Sequence, residues 1–160
     1  MTAKMLAVDR IGVAGEPAAD VICRVRQKPK AVKYDYLAVS DSVEDASWVD
    51  VITIRDLRRV KEKLKKKARA GLGLEMMIAQ ARGMDAAGAA KWLADVSELY
   101  SFCQSSRCQF ILSSGADSSY TMVSGRCLDA ILETCGIDPE KHWVAMSSWL
   151  ASRLGRRIKV

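Results

Sequence analysis

One histidine, three prolines, two phenylalanines and no apolar run of about 20 residues set the first limits on this 160-residue chain. Without such a run, no membrane-spanning helix is expected. The short apolar stretch after Lys4 ends at Asp9 and Arg10, too short for the core of a secretory signal, so the expected compartment is the cytosol. A single histidine, His142, and the lack of any Cys-x-x-Cys pair leave no ligand set for an ordinary zinc site. The five cysteines are odd in number and carry no secretion signal before them, which argues against a disulfide framework and for buried free thiols. A P-loop, a Gly-x-Gly-x-x-Gly fingerprint in the right context and a Gly-x-Ser-x-Gly elbow are all missing.

What is present is the composition of one globular domain: 49% hydrophobic and 28% charged residues. A full eight-unit barrel needs about 250 residues, so a full-length barrel is excluded. Net charge is +6, and the excess is uneven. Residues 1–80 hold 16 basic and 11 acidic side chains, whereas residues 81–160 hold 9 and 8. A polyanion would therefore be met mainly by the first half.

The element pattern alternates. Strands are expected at Lys4–Val8, Asp35–Val39, Val49–Ile54, Leu72–Ala79 and Cys108–Leu112. Helices are expected at 18–26, 55–69, 86–103, from Ser124 to the stop at Gly136, and from Asp138-Pro139 to about Leu154. Arg24, Arg26, Lys28, Lys30 and Lys33 around Pro29 read as an exposed connection or helix end. Such alternation implies a parallel sheet of about five strands with helices packed on it.

The helix at 55–69 carries the sharpest functional signal. Leu57, Val60, Leu64 and Ala68 form a narrow apolar stripe, and the far face holds Arg55, Arg59, Glu62 and Lys66, flanked by Lys63 and Arg69. Nine of its fifteen residues are basic and two acidic. Like charges such as Arg59 and Lys63 repel at this spacing, and a bound polyanion would relieve the repulsion. The competing reading is a solvated face whose lysine stems cover apolar surface.

Two further features stand out. The small-residue loop Ser113–Ser119 follows a strand, at the sheet edge where α/β proteins build sites, and it leads to Ser124-Gly125-Arg126 at a helix start. Small residues there let backbone N–H groups approach phosphate, with Arg126 as a clamp; the competing reading is a tight, polar strand-to-helix connection. Glu75, inside an apolar strand, is either a general base or metal ligand, joined by Asp50 and Asp117 if the fold gathers them, or a carboxylate paired with a basic neighbour.

The segment Cys108-Gln109-Phe110-Ile111-Leu112-Ser113-Ser114-Gly115-Ala116 resembles the strand and Ser-Ser-Gly-Ala loop of the RNase P protein component 3 family, the archaeal form of the thirty-kilodalton RNase P/MRP subunit. Where the family has a Leu-Arg-Ser-Pro-Arg-Asp helix start, Met122-Val123-Ser124-Gly125-Arg126-Cys127 stands here; Ser124 and Arg126 match, and Val123, Gly125 and Cys127 depart. Val49–Ile54, Gly73-Leu74-Glu75-Met76, Ile131–Gly136 and Trp143–Ser148 are similar to further family segments in the same order. The resemblance spans about residues 35–155, with 1–34 poorly matched.

The resemblance implies a single-domain, shortened TIM-barrel-like α/β fold. It implies a non-catalytic, RNA-binding subunit of ribonuclease P, whose RNA removes the 5′ leader of precursor tRNA. The implied partners are the RNase P RNA, RNase P protein component 2, the other protein subunits and, through the complex, precursor tRNA, with no membrane. No cofactor is expected on the protein, and magnesium is expected on the RNA. Arg55, Arg59, Lys63, Lys66, Ser114, Gly115 and Arg126 are the expected RNA contacts. The alternatives are a metal-dependent phosphoesterase on the same architecture and a scaffold that grips a protein by an apolar helix face.

Overall fold

The computed structural model describes residues 23–27, 36–116 and 121–154. Five strands lie side by side in sequence order: β1 (Cys23–Val25), β2 (Tyr36–Ser40), β3 (Val51–Thr53), β4 (Gly73–Met77) and β5 (Gln109–Ser113). Every neighbouring pair is parallel. Four α-helices are described: α1 (Leu57–Lys67), α2 (Ala86–Ser106), α3 (Gly125–Thr134) and α4 (Pro139–Leu154). Short 3-10 turns at Val43–Ser47 and Ile78–Ala81 complete the set. This is a shortened TIM-barrel-like α/β fold, and among the described residues the sheet does not close.

Parallel strands in sequential order, joined by crossovers of one hand, place successive helices on one face. The strand alternation then sorts the core. Ala38, Ile52, Leu74, Met76, Phe110 and Leu112 point to the helical face and meet Leu57 and Leu64 of α1, Trp92, Val96 and Leu99 of α2, and Leu128 and Leu132 of α3. Leu37, Val39, Val51 and Ile111 point the other way.

An open parallel sheet needs cover on that second face as well, and α4 supplies it. The start of α4 touches the helical layer, where Trp143 Nε1 donates to Asp129 at 2.6 Å and His142 lies 5.6 Å from the Phe110 ring. The rest of α4 brings Met146, Trp149 and Leu150 onto the second face. Trp149 Nε1 donates to the Gly71 carbonyl at 2.7 Å, and Arg153 donates to the same oxygen. Gly73 makes this approach possible, since a Cβ there would stand 2.8 Å from Ile111 Cδ1 and 3.0 Å from the Trp149 ring.

The helix starts follow the capping residues. Asp56 accepts from the backbone N–H groups of Arg58 and Arg59, Asp85 from Gly88, and Ser124 from Cys127.

Four expectations are corrected. Within the expected helix at 18–26, residues 23–25 form a strand, because nine residues cannot distinguish a period of 3.6 from one of 2. Val25 packs against the helical core, while Arg24 faces the other way and is not part of an exposed connection. Of the thiols, Cys103 is buried, Cys108 and Cys135 are half-buried, and Cys127 is exposed on the first turn of α3. The strand expected at Leu72–Ala79 stops at Met77, where the Gln80 side chain turns the chain by accepting from Met77 N–H and donating to the Ile54 carbonyl. The strand expected at Lys4–Val8 and the basic residues Lys28, Lys30 and Lys33 lie outside the described residues.

Candidate nucleic-acid interface

The second face of the sheet changes character along the strands. Its amino end is apolar and covered by α4, and its carboxyl end is polar. Thr53 of β3, Glu75 of β4 and Ser113 of β5 fall on this face by strand alternation. Glu75 is fully buried and accepts from Thr53 Oγ1 at 2.8 Å and from Ser113 Oγ at 2.7 Å. Arg24 of β1 completes the cluster with two donors, Nη1 at 2.7 Å from Oε1 and Nη2 against Oε2. Burial alone would raise the Glu75 pKa. The Arg24 charge and the hydrogen bonds from Arg24, Ser113 and Thr53 outweigh it and hold the carboxyl below its usual range.

Glu75 thus takes the second of the two roles open to it in the sequence, a carboxylate paired with a basic neighbour. Asp50 is elsewhere, accepting from the Ala38 backbone at 2.8 Å, and Asp117 lies outside the described residues. No group of three or more His, Cys, Asp or Glu side chains gathers among the described residues. His142 is buried in α4, with its pKa lowered to about 4 by burial against a small opposing pull from Asp129.

On α1 the basic residues are distributed as the sequence suggests, but their charge is largely answered within the molecule. Arg55 pairs with Asp41 at 2.8 Å, Arg59 with Asp56 at 3.3 Å, Lys63 with Glu44 at 3.5 Å and Lys65 with Glu62 at 2.6 Å. Lys61 bonds to Glu98 on α2, and Lys67 to Glu44. The repulsion between Arg59 and Lys63 is therefore met by Asp56 and Glu44 without any ligand. Three lysines in the last turn, Lys65, Lys66 and Lys67, also complement the helix dipole. Among the described residues, Arg58 and Lys66 form no ion pair within 4 Å, though Lys66 feels the Glu62 charge, and both are exposed. Arg69 turns inward and donates to the carbonyls of Ala46 and Val49.

The loop after β5 is tightly packed. Ser114 is fully buried, its hydroxyl accepting from Ala116 N–H and its carbonyl from Ala79 N–H at 3.0 Å. Gly115 is half-buried with φ +65°, and a Cβ there would stand 2.8 Å from Met77 Cβ and 2.9 Å from Ala79 Cβ. Arg126 is exposed on the first turn of α3. It does not join the α1 charges directly. The Lys61–Glu98 pair ties α1 to α2, and Ser97 Oγ donates to the Cys135 carbonyl just past α3, so α2 stands between them.

The sequence reading missed Arg24, Arg26 and Arg58 as residues of interest. A carboxylate inside an apolar strand demands a buried cation, and Cys23-Arg24-Val25, short and half apolar, was the place to look. Arg58 follows the capping Asp56 and shares the exposed side of α1 with residues already singled out.

No helix among the described residues is long and apolar enough to cross a membrane. Comparison with protein-family models, with curated proteins and with solved structures finds no match.

Proposed function

We propose that this chain is an RNA-binding, non-catalytic protein subunit of ribonuclease P that supports the catalytic RNA in removing the 5′ leader of precursor tRNA. The observation that carries the reading is a convergence. Three segments quoted for the family resemblance, Val49–Ile54, Gly73–Met76 and Cys108–Ala116, meet at one carboxylate, through Thr53, Glu75 and Ser113. That these segments, far apart in sequence, share one buried polar network supports reading them as parts of one site.

In this reading Arg58 and Lys66, with the weakly engaged Arg55, Arg59 and Lys63, offer phosphate contacts on α1, and Arg126 offers another beyond α2. Exposed ion pairs contribute only about 0–1 kcal/mol each, so RNA phosphates can replace them at little cost. Phosphate contacts position the protein and carry no base specificity. The partners are the RNase P RNA and component 2, with the other subunits and precursor tRNA reached through the complex, and magnesium acts on the RNA. The cytoplasm is the compartment. The phosphoesterase alternative depended on Glu75, whose two oxygens are spent on Arg24, Thr53 and Ser113.

The test is precursor-tRNA cleavage at limiting magnesium by RNase P RNA with component 2, with and without this chain. Correct 5′ cleavage restored by the chain is the expected result. No rescue from a folded chain that binds component 2 overturns the subunit reading in favour of a scaffold, and cleavage without RNA overturns it in favour of an enzyme.

A further inference from the structure

A second basic feature lies apart from the outer side of α1. Beside the Glu75 cluster, at the carboxyl ends of β1 to β4, a cavity of about 560 Å³ opens to solvent. Among the described residues, it is lined by the arginines Arg24, Arg26 and Arg55, the hydroxyl residues Ser40, Ser42 and Thr53, and the acid Asp41. Val39 and Met77 supply apolar wall.

The charges do not cancel. Glu75 balances Arg24, and Asp41 pairs with Arg55. Arg26 is exposed and has no carboxylate partner among the described residues. Among the described residues, the lining therefore keeps about one positive charge, with a second guanidinium held only by an ion pair in which Arg55 is 66% exposed. Arg24 differs from both. Its side chain is 6% exposed, and Glu75, itself held by Thr53 and Ser113, fixes its plane in the cavity wall. A prefixed guanidinium loses little side-chain entropy when an anion arrives.

We propose that this cavity is a binding site for a phosphomonoester of mononucleotide size. Arg26 and Arg55 clamp the phosphate, Arg24 sets the positive wall behind it, and Val39 and Met77 receive the organic body. Guanidinium forks match phosphate oxygens in geometry as well as charge. The volume lies within the range of small-molecule sites, which leaves space for a body as well as a phosphate. The edge formed by the carboxyl ends of parallel strands is also where α/β proteins place such ligands. The same chemistry is offered by a free nucleotide and by the phosphorylated 5′ end of an RNA. The site shares Arg55 with the phosphate contacts proposed beside α1, but none of Arg58, Arg59, Lys63 and Lys66 lines it.

The experiment is calorimetric titration of the full chain with adenosine 5′-monophosphate and with adenosine. The monophosphate is expected to bind and adenosine is not. Arg26→Ala and Arg55→Ala, both at exposed positions and each checked for unchanged circular dichroism, are expected to weaken binding on the order of tenfold. Arg58→Ala with Lys66→Ala on α1 is expected to leave it unchanged. A short oligoribonucleotide with a 5′ phosphate, compared with its 5′-hydroxyl form, separates the sources. A preference for the phosphorylated end that is lost in Arg26→Ala assigns an RNA terminus; monophosphate binding without such a preference assigns a free nucleotide. Equal behaviour of monophosphate and adenosine together with no end preference, or equal loss in the α1 variant, overturns the proposal, the latter by showing diffuse charge attraction.

Discussion

Arg24 reaches across two intervening strands to form a two-pronged ion pair with Glu75, joining the first strand of the sheet to the fourth. Three strand spacings amount to about 14 Å across a flat sheet. The two side chains meet because the sheet curls towards this face, as a segment of barrel does. The pair is therefore a clasp on the curvature as well as the wall of the cavity beside it.

Breaking one half of the clasp should be costly. Glu75→Gln leaves Arg24 as a buried cation without its counter-charge, and a loss of about 3–5 kcal/mol is expected in urea unfolding. Arg24→Met should cost a similar amount by stranding the carboxylate. The double variant should recover much of the loss, and two additive single losses would show that the residues do not interact. The pair also makes a pH prediction. The folded Glu75 pKa lies below its ordinary value of 4.5, so its stabilising contribution is fully present above that pH and disappears as pH falls through the folded value.

His142 adds a pH dependence that starts earlier. Its imidazole is buried beside Phe110 and Trp143, Nε2 has no hydrogen-bond partner among the described residues, and its pKa falls from 6.5 to about 4. Between those values the unfolded chain binds the proton and the folded chain does not. Stability should thus decline as pH drops from 6.5 towards 4, by up to about 3 kcal/mol. His142→Leu removes both the titrating group and the unpaired nitrogen and should flatten this part of the profile, read as urea midpoint against pH. An unchanged decline in that variant would assign it to other groups.

Salt dependence should sort the α1 cations by whether a carboxylate already holds them. Arg58→Ala with Lys66→Ala is expected to lower the slope of log K against log salt for RNA binding by up to about 1.8, two phosphate contacts' worth of released counterions. Arg59→Ala or Lys63→Ala frees a carboxylate as well as removing a cation, so affinity should fall further for each charge lost. Measuring K by fluorescence anisotropy at several salt concentrations decides it, and a slope untouched by the double variant removes α1 from the interface.

Gly115 is required by both its backbone and its surroundings. At φ +65° a Cβ is strained, and it would also press on Met77 and Ala79. Gly115→Ala should destabilise the fold by about 1–3 kcal/mol in thermal or urea unfolding. Because this loop seals the end of β5 and positions Ser113, the variant should also loosen the Glu75 cluster. A neutral substitution would mean that the loop moves aside freely.

The amino-acid sequence by itself determined most of the elements. Hydrophobic spacing and capping residues are local properties, so α1 behind Asp56, α2 behind Asp85, α3 behind Ser124 and α4 from Pro139 could be read from short windows, as could the strands β2 to β5. The alternation of strand and helix already implied the parallel sheet. The first strand could not be read in this way, because Cys23–Val25 has too few residues to show a period and is held by pairing with β2. Nor could the pairing of charges. Glu75 finds Arg24 at a separation of 51 residues, and Glu44 answers Lys63 and Lys67 across a strand and a turn. Those distances are set by sheet order and curvature, which no local pattern encodes. The same is true of Ser114, small and polar in sequence yet sealed under its own loop. Composition shows an excess of cations; tertiary structure decided which of them are already answered and which, Arg26, Arg58 and Lys66 among them, still face outward.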